Sequence, residues 1–303
     1  MTVSSYIIRN YQPFDFAPCT RLHAEAERQE GSQRLLGLDF AERLRRPGYD
    51  PWQDVLVAET DREIVACLEM TLEKAIGRIV LNCRVKSGYR RSGISTGFLQ
   101  RAEQRARQLG IKRLHACIGE ADEEVKTVLQ RLGFCRVRRF LEMDMNLGNF
   151  SGGIASTCQQ MRQGEEEKLT YLQNRSFTGT WGYNPNTLEQ ITYHSNAGES
   201  SPEDTILCYA GDEPAAYCWT RVLPNKLGMG RSGRILMIGV FPEYRGRGIG
   251  RVVLEAGLAH LKRKGIQEVA LTVDSENRVA LSLYRAVGFE IEAGSLWYER
   301  LLD

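Results

Sequence analysis

No stretch of the sequence approaches the roughly 18 consecutive apolar residues of a membrane-spanning helix. The start, Met1-Thr-Val-Ser-Ser-Tyr6, lacks the basic first residues and apolar core of a signal peptide. Both absences lead to the expectation of a cytoplasmic protein with no membrane partner. An excess of charge is missing too. Forty Lys and Arg stand against 38 Asp and Glu, leaving +2, so nothing calls for nucleic acid or an anionic surface as partner. Metal-ligand spacing is also absent. The eight cysteines (Cys19, Cys67, Cys83, Cys117, Cys135, Cys158, Cys208 and Cys218) form no CxxC and no Cys/His cluster, and no metal is expected. In a long cytoplasmic chain, disulfides are not expected either. The cysteines read as small buried hydrophobes, many inside apolar runs such as Ile64-Val-Ala-Cys67-Leu68.

What is present is the composition of a globular protein. The 303 residues, 42% hydrophobic and 26% charged, suffice for two ordinary domains with real cores. The organising stretch is Val240-Phe-Pro-Glu-Tyr-Arg-Gly-Arg-Gly-Ile-Gly-Arg251. The apolar run Ile235 to Val240 enters it and the amphipathic run Val252 to Lys264 leaves it. That order reads as strand, basic glycine loop, helix. Such a loop aims successive backbone N–H groups and the positive end of a helix at one point, a setting suited to phosphate.

The stretch has a twin. Arg90 and Arg245 are 155 residues apart, as are Gly93 and Gly248, Gly110 and Gly265, Gly133 and Gly288, and Phe134 and Phe289. The offset holds without a gap from Val85/Val240 to Phe134/Phe289, so the chain carries two copies of one αβ domain. The Gly- and Asn-rich segment Asn146 to Gly153 is the best linker, giving expected domains 1–148 and 149–303. Each copy reads as a short strand, two helices, a hairpin, the glycine-loop strand and its helix, then strand, helix and closing strand.

Gly246-Arg-Gly248-Ile-Gly250 is GxGxG, not the GxGxxG of dinucleotide folds, and no Gly-Lys-Ser/Thr follows. Arg-x-x-Gly-x-Gly after a strand and Pro242-Glu-Tyr244, with Asn277-x-x-Ala-x-x-x-Tyr284-x-x-x-Gly288-Phe289 downstream, resembles the GCN5-related N-acetyltransferase superfamily. The tandem arrangement is similar to mycothiol synthase and its relatives, as are Asn174 to Thr187 and Leu271 to Asn277. The resemblance implies an α/β (α+β) fold of two tandem domains. Each would hold a mixed, largely antiparallel twisted sheet, flanked by helices, with a splayed central strand pair. It also implies an N-acetyltransferase using acetyl-CoA as co-substrate. The acceptor would be a small-molecule amine, and the chain a monomer or homodimer.

Under that resemblance Arg245, Gly246, Arg247, Gly248, Ile249, Gly250 and Arg251 wrap a pyrophosphate. Ile238, Gly239 and Val240 line the pantetheine slot, with Gly239 suited to a strand bulge and one N–H of the three polarising the thioester carbonyl. Tyr284 protonates the departing thiolate; as a lone tyrosine on an amphipathic helix it would otherwise read as core. Asn277 contacts the pantetheine arm, caps its helix, or both. The general base is not assigned: Asp274 and Glu276 read more readily as solvated loop carboxylates, and His260 and His194 as structural or solvated. Trp181 and Tyr183 face the acceptor or pack over a sheet edge. Relatives carry acidic residues leading into the loop strand, where this chain has Arg234 and Met237, so the tandem acyltransferase carries over and the thiol-precursor substrate does not.

The first copy departs from the pattern. Ser95 replaces the last loop glycine, Leu129 stands opposite Tyr284 and Asp122 opposite Asn277. Leucine cannot protonate a thiolate, so this copy is expected to be non-catalytic. It either holds coenzyme at a second site through Arg90, Arg91, Gly93 and Ser95, or buttresses the active copy. Two other readings remain at this stage: a peptide or protein N-acetyltransferase, and a non-catalytic acyl-CoA sensor.

Overall fold

The computed structural model describes residues 5–30, 39–61, 63–224 and 230–303. The readings of Met1 to Ser4 and of Arg62 in the first hairpin turn fall outside it. The first repeat runs β1 (Ile7–Asn10), α1 (Phe16–Glu30), α2 (Phe40–Arg45), α3 (Pro51–Asp54), β2 (Val55–Glu59), β3 (Ile64–Glu73), β4 (Arg78–Val85), α4 (Ile94–Gln108), β5 (Arg113–Gly119), α5 (Glu123–Arg131) and β6 (Cys135–Asn146). The second runs β7 (Cys158–Gln160), α6 (Glu166–Phe177), α7 (Leu188–Ser195), β8 (Thr205–Ala210), β9 (Glu213–Pro224), β10 (Arg231–Val240), α8 (Ile249–Arg263), β11 (Glu268–Asp274), α9 (Arg278–Val287) and β12 (Glu290–Leu301). One helix escaped the sequence reading. Around Pro51 only a chain break was expected, yet Pro51 opens α3, with the Asp50 carboxylate accepting from Trp52 N–H.

The chain forms two compact units that do not follow the repeat boundary. One holds Asp39–Arg138, the N-terminal segment and Ser295–Asp303. Its strands run β1-β2-β3-β4-β5, closed by the last part of β12, where Ser295–Leu301 pairs antiparallel with β5. The other is built on Arg139–Gly294. Its strands run β7-β8-β9-β10-β11, closed by the later part of β6 against β11. In each unit the only parallel pair among the described strands is the one joined through the long helix, β4 with β5 and β10 with β11. A parallel pair needs such a crossover. The division at 148/149 therefore differs from the compact units by the closing strands: each repeat's last strand is built into the sheet of the other unit.

The second unit's core lies between its sheet and α8 and α9, with Ile235, Val253, Leu254, Leu258, Leu261, Leu271, Phe289 and Tyr284 among its members. On the other side α6 and α7 cover Tyr217, Trp219 and Phe241 with Leu169, Leu172 and Ile191. Helix α8 lies close on β9 because residue 257 is glycine; a methyl group there would overlap the Cys218 sulfur.

The cysteines give two corrections, the first being that Cys135 is exposed and not a buried hydrophobe. Cys19, Cys67 and Cys218 are buried thiols as expected. Cys158 and Cys208, however, stand directly opposite each other on antiparallel β7 and β8, with Cα atoms 4.0 Å apart, and are joined as a disulfide. Sequence spacing could not place them on facing strands; register did.

Candidate active site

Strand β10 is paired along both edges only in its first part. Gly233 to Ile235 run parallel to Val269 to Leu271 of β11, and the pairing ends there. Against β9 the register shifts between Ile235 and Met237, so Leu236 is an extra residue, a β-bulge. A bulge adds twist and turns a strand away from its neighbour. Past it, Met237 to Val240 stay paired with Trp219 to Ala216 on β9, while the edge toward β11 opens. The bulge thus lies at Leu236, three residues before Gly239, where the sequence reading put it. Gly239 is needed for a different reason. A Cβ there would overlap the Tyr217 ring and come within 2.9 Å of Ser176 Cβ.

The open edge leads through Pro242–Tyr244, a 3-10 turn, into the glycine loop. Gly246 and Gly248 adopt φ of 75° and 79°, a left-handed conformation that costs glycine almost nothing. Gly248 precedes α8, whose N-terminus has no side-chain cap. Its first N–H groups are thus left facing outward with the positive end of the helix. The arginines divide their work. Arg245 donates to the carbonyls of Val240 (3.1 Å) and Ser176 (2.7 Å), bracing the loop against its own strand and α6. Arg251 pairs with Glu255 one turn on (2.7 Å). Arg247 lies over the Tyr244 ring, 5.7 Å from its centroid.

Tyr284 comes from α9 and is 5% exposed. Its ring meets Phe289 edge-on at 6.0 Å. Burial, with the Cys218 thiol adding to it, pushes its pKa well above the ordinary tyrosine value. The phenol therefore stays protonated across the neutral range. Asn277 caps α9, its Oδ1 accepting from Ala280 N–H at 3.1 Å. Asp122 does the same for Val125 on α5 at 2.9 Å, so the capping role is common to both copies.

On the α6 side, Gln173, Ser176 and Tyr217 are all buried and crowd residues 237–239: Gln173 Nε2 lies 2.5 Å from Met237 Sδ. Gln173 Oε1, Ser176 Oγ and the Tyr217 hydroxyl have no hydrogen-bond partner among the described residues. Tyr183 donates to Asn174 Oδ1 (2.7 Å) and stacks on Phe177 (5.2 Å), and Trp181 lies 6.0 Å from Phe140. Where relatives were expected to carry an acid, the Arg234 guanidinium donates to both oxygens of Glu142 (2.7 and 3.1 Å) and to Thr272 Oγ1 (2.5 Å). Asp274 accepts from Glu276 N–H at 2.9 Å. His260 is a buried brace, 3.1 Å from Asp204. No group of three metal-ligating side chains occurs among the described residues.

Sequence reasoning missed Gln173 and Tyr217 and held Ser176 only within the resembling stretch Asn174 to Thr187, since each sits on an element remote in sequence from the glycine-loop motif. It also missed Glu124, whose carboxylate accepts from Arg90 Nη1 at 2.8 Å and lies 3.8 Å from Arg91 Nε. That signal was available: Glu124 registers with Val279 at the offset of 155.

The sequence matches the acetyltransferase (GNAT) family over residues 16–134 and again over 167–289. The mycothiol acetyltransferase of Geodermatophilus obscurus is 27% identical over 275 residues, covering 85% of each protein. That of Thermobifida fusca is 39% identical over 120 residues, 38% of this chain and 37% of that one. Among solved structures, a GCN5-related N-acetyltransferase from Sphaerobacter thermophilus aligns with a TM-score of 0.74 at 21% identity, over 98% of this chain and 95% of that one. A tandem GNAT protein from the clavulanic acid biosynthesis pathway aligns with 0.70 at 14% identity, over 98% of both. With the family matched on both repeats, the chain belongs to the acetyltransferase (GNAT) family.

Proposed function

We propose that the second repeat transfers the acetyl group of acetyl-CoA to a primary amine of a small molecule. The observation that carries this is the opening of β10 after its bulge at Leu236, leading straight into an uncapped helix N-terminus through two left-handed glycines. An extended amide-bearing arm can add along such an edge as a further strand. A pyrophosphate suits the N–H groups of residues 246–250. The residues present therefore fit coenzyme A.

Acetyl-CoA brings an activated thioester. The chain's own groups do the rest. The backbone of Ile238 to Val240 holds the arm and offers an N–H to the carbonyl oxygen as it gains negative charge. Arg245 keeps that edge and the loop in one geometry through its two carbonyl partners. The amine nitrogen attacks the carbonyl carbon, the C–S bond breaks, and the sulfur takes the Tyr284 hydroxyl proton. The proton lost by the amine leaves to water and Tyr284 recovers its own from solvent. Raised by burial, the Tyr284 phenol stays protonated near neutrality and so keeps the proton that the departing thiolate needs.

The relatives named for mycothiol suggest an amine on a small polar acceptor. On this reading Trp181, Phe140 and the Arg234–Glu142–Thr272 network line its approach, and the compensated ion pair makes that floor polar without net charge. The test is thiol release from acetyl-CoA over a panel of small amines, amino sugars and peptides. Release with small amines and not with peptides is the expected result. Release only with peptides would replace this acceptor class, and no release with any of them would favour a coenzyme-binding sensor.

A further inference from the structure

The two glycine loops share a backbone but not a charge balance. Gly93 has φ of 89° and precedes α4, as Gly248 precedes α8 with 79°. Both loops follow a 3-10 turn, Ser87–Tyr89 and Pro242–Tyr244. The next helices along, α5 and α9, are capped at the registered positions Asp122 and Asn277. The difference lies two residues past those caps. In the first unit the Glu124 carboxylate takes Arg90 at 2.8 Å and sits 3.8 Å from Arg91. Its counterpart Val279 is 83% exposed. Val279 is one turn before Leu283 on the same helical face, and Leu283 Cδ2 lies 3.6 Å from where a Cβ on Gly250 would be. Val279 is thus an exposed apolar side chain at the mouth of the second loop. Arg245, the counterpart of Arg90, turns back to two backbone carbonyls instead. Tyr6 adds to the contrast. Its hydroxyl would be 3.3 Å from a Cβ on Gly93, while nothing lies within 4 Å of that point at Gly248.

We propose that this position decides which repeat takes coenzyme: Glu124 is a resident anion on the arginines of the first loop, and Val279 leaves the second loop open. Each chain then binds one coenzyme. A carboxylate on those arginines occupies the charge a pyrophosphate would need and repels the phosphates that approach. At that position Val279 offers instead an apolar contact with no charge, while Glu255, paired with Arg251 along α8, is a carboxylate the second loop retains. The inference rests on the reading of Arg245 to Arg251 as the coenzyme cradle, and it assigns no catalytic step to either residue.

Titration calorimetry of the full chain with coenzyme A tests it. Wild type should bind one equivalent. Val279→Glu should weaken binding about tenfold or more relative to Val279→Gln, and about 0.5 M salt should narrow that gap. Glu124→Val should add a second, weaker and salt-sensitive event. Two equivalents in wild type, equal affinities for the two Val279 variants, or no second event in Glu124→Val would each overturn the proposal. No binding at all by wild type would instead sink the coenzyme reading on which it rests.

Discussion

Tyr284 shows how one side chain can be named from sequence and still need a fold to explain it. Its spacing from Asn277 and Gly288 singled it out, but the chemistry proposed for it depends on burial beside Phe289. Tyr284→Phe should lower kcat by about 10²–10⁴ with little change in KM for acetyl-CoA, measured by thiol release. Because burial raises its pKa, any alkaline limb due to this donor should begin above pH ~10. Arg91 carries a cost of a different kind. It is the one non-glycine residue with positive φ among those described, at 63°, where the second copy has Gly246 at 75°. Arg91→Gly should raise stability by about 0.5–1 kcal/mol in chemical denaturation, as left-handed strain is relieved and partly offset by glycine's entropy.

His23 titrates in the first unit's interior. It stacks on Phe40 at 4.7 Å, lies 3.3 Å from Glu69 and 3.4 Å from Arg43, and has Arg84 nearby. Burial pulls its pKa down from 6.5 to about 4. Between those two values the unfolded chain binds a proton that the folded chain refuses. Stability is therefore full above pH 6.5 and falls on acidification toward pH 4, by roughly 3 kcal/mol from this group. Glu69, held below the usual carboxylate range by the neighbouring Arg43 charge despite its burial, acts in the same direction. Denaturation curves at pH 7 and pH 5 for wild type and His23→Gln would check it: the variant should lose the histidine's share of the slope.

At the scale of elements, the sequence reading located most strands and helices within a few residues, because hydrophobic period and Gly/Pro punctuation are local. What it misplaced was the bulge. Gly239 was a reasonable candidate, since glycine often marks a bulge. The actual bulge residue is Leu236, with no local signal, because a bulge is a mismatch of count between two strands. Gly239 answers to its neighbours Tyr217 and Ser176. Gly239→Ala should therefore disturb both the core and the slot, losing about 1–3 kcal/mol of stability and more activity than an overpacking change elsewhere in the core. A variant as stable and as active as wild type would show that this close packing is dispensable. In β4, the registered strand of the first copy, pairing with β3 runs without a register shift, a second way in which that copy departs from the one we propose as catalytic.

At the scale of the whole molecule, repeats and folded units are not the same objects. Leu296, Tyr298 and Leu302 from the end of the second repeat are core residues of the first unit, and Leu141 and Met143 from the first repeat are core residues of the second. A chain ended at Gly294 should lose most of the first unit's stability. Three buried apolar side chains at about 1.5–3 kcal/mol each approach the whole stability of a domain, and β5 would be left with an open edge. Circular dichroism and denaturation of that truncated chain would measure the loss; an unchanged transition would contradict it. The domain division we propose accordingly follows the repeats for descent and the exchanged strands for folding.

By itself the sequence determined the tandem repeat, the family resemblance, the glycine loop and the asymmetry of Tyr284 against Leu129, because each is written in residue types at fixed spacing. Only tertiary structure decided the bulge at Leu236, the exchange of closing strands, the Cys158–Cys208 pairing and the capture of Arg90 by Glu124. Those depend on which residues face one another across strands and helices, and strand register and helix packing are set by the fold as a whole.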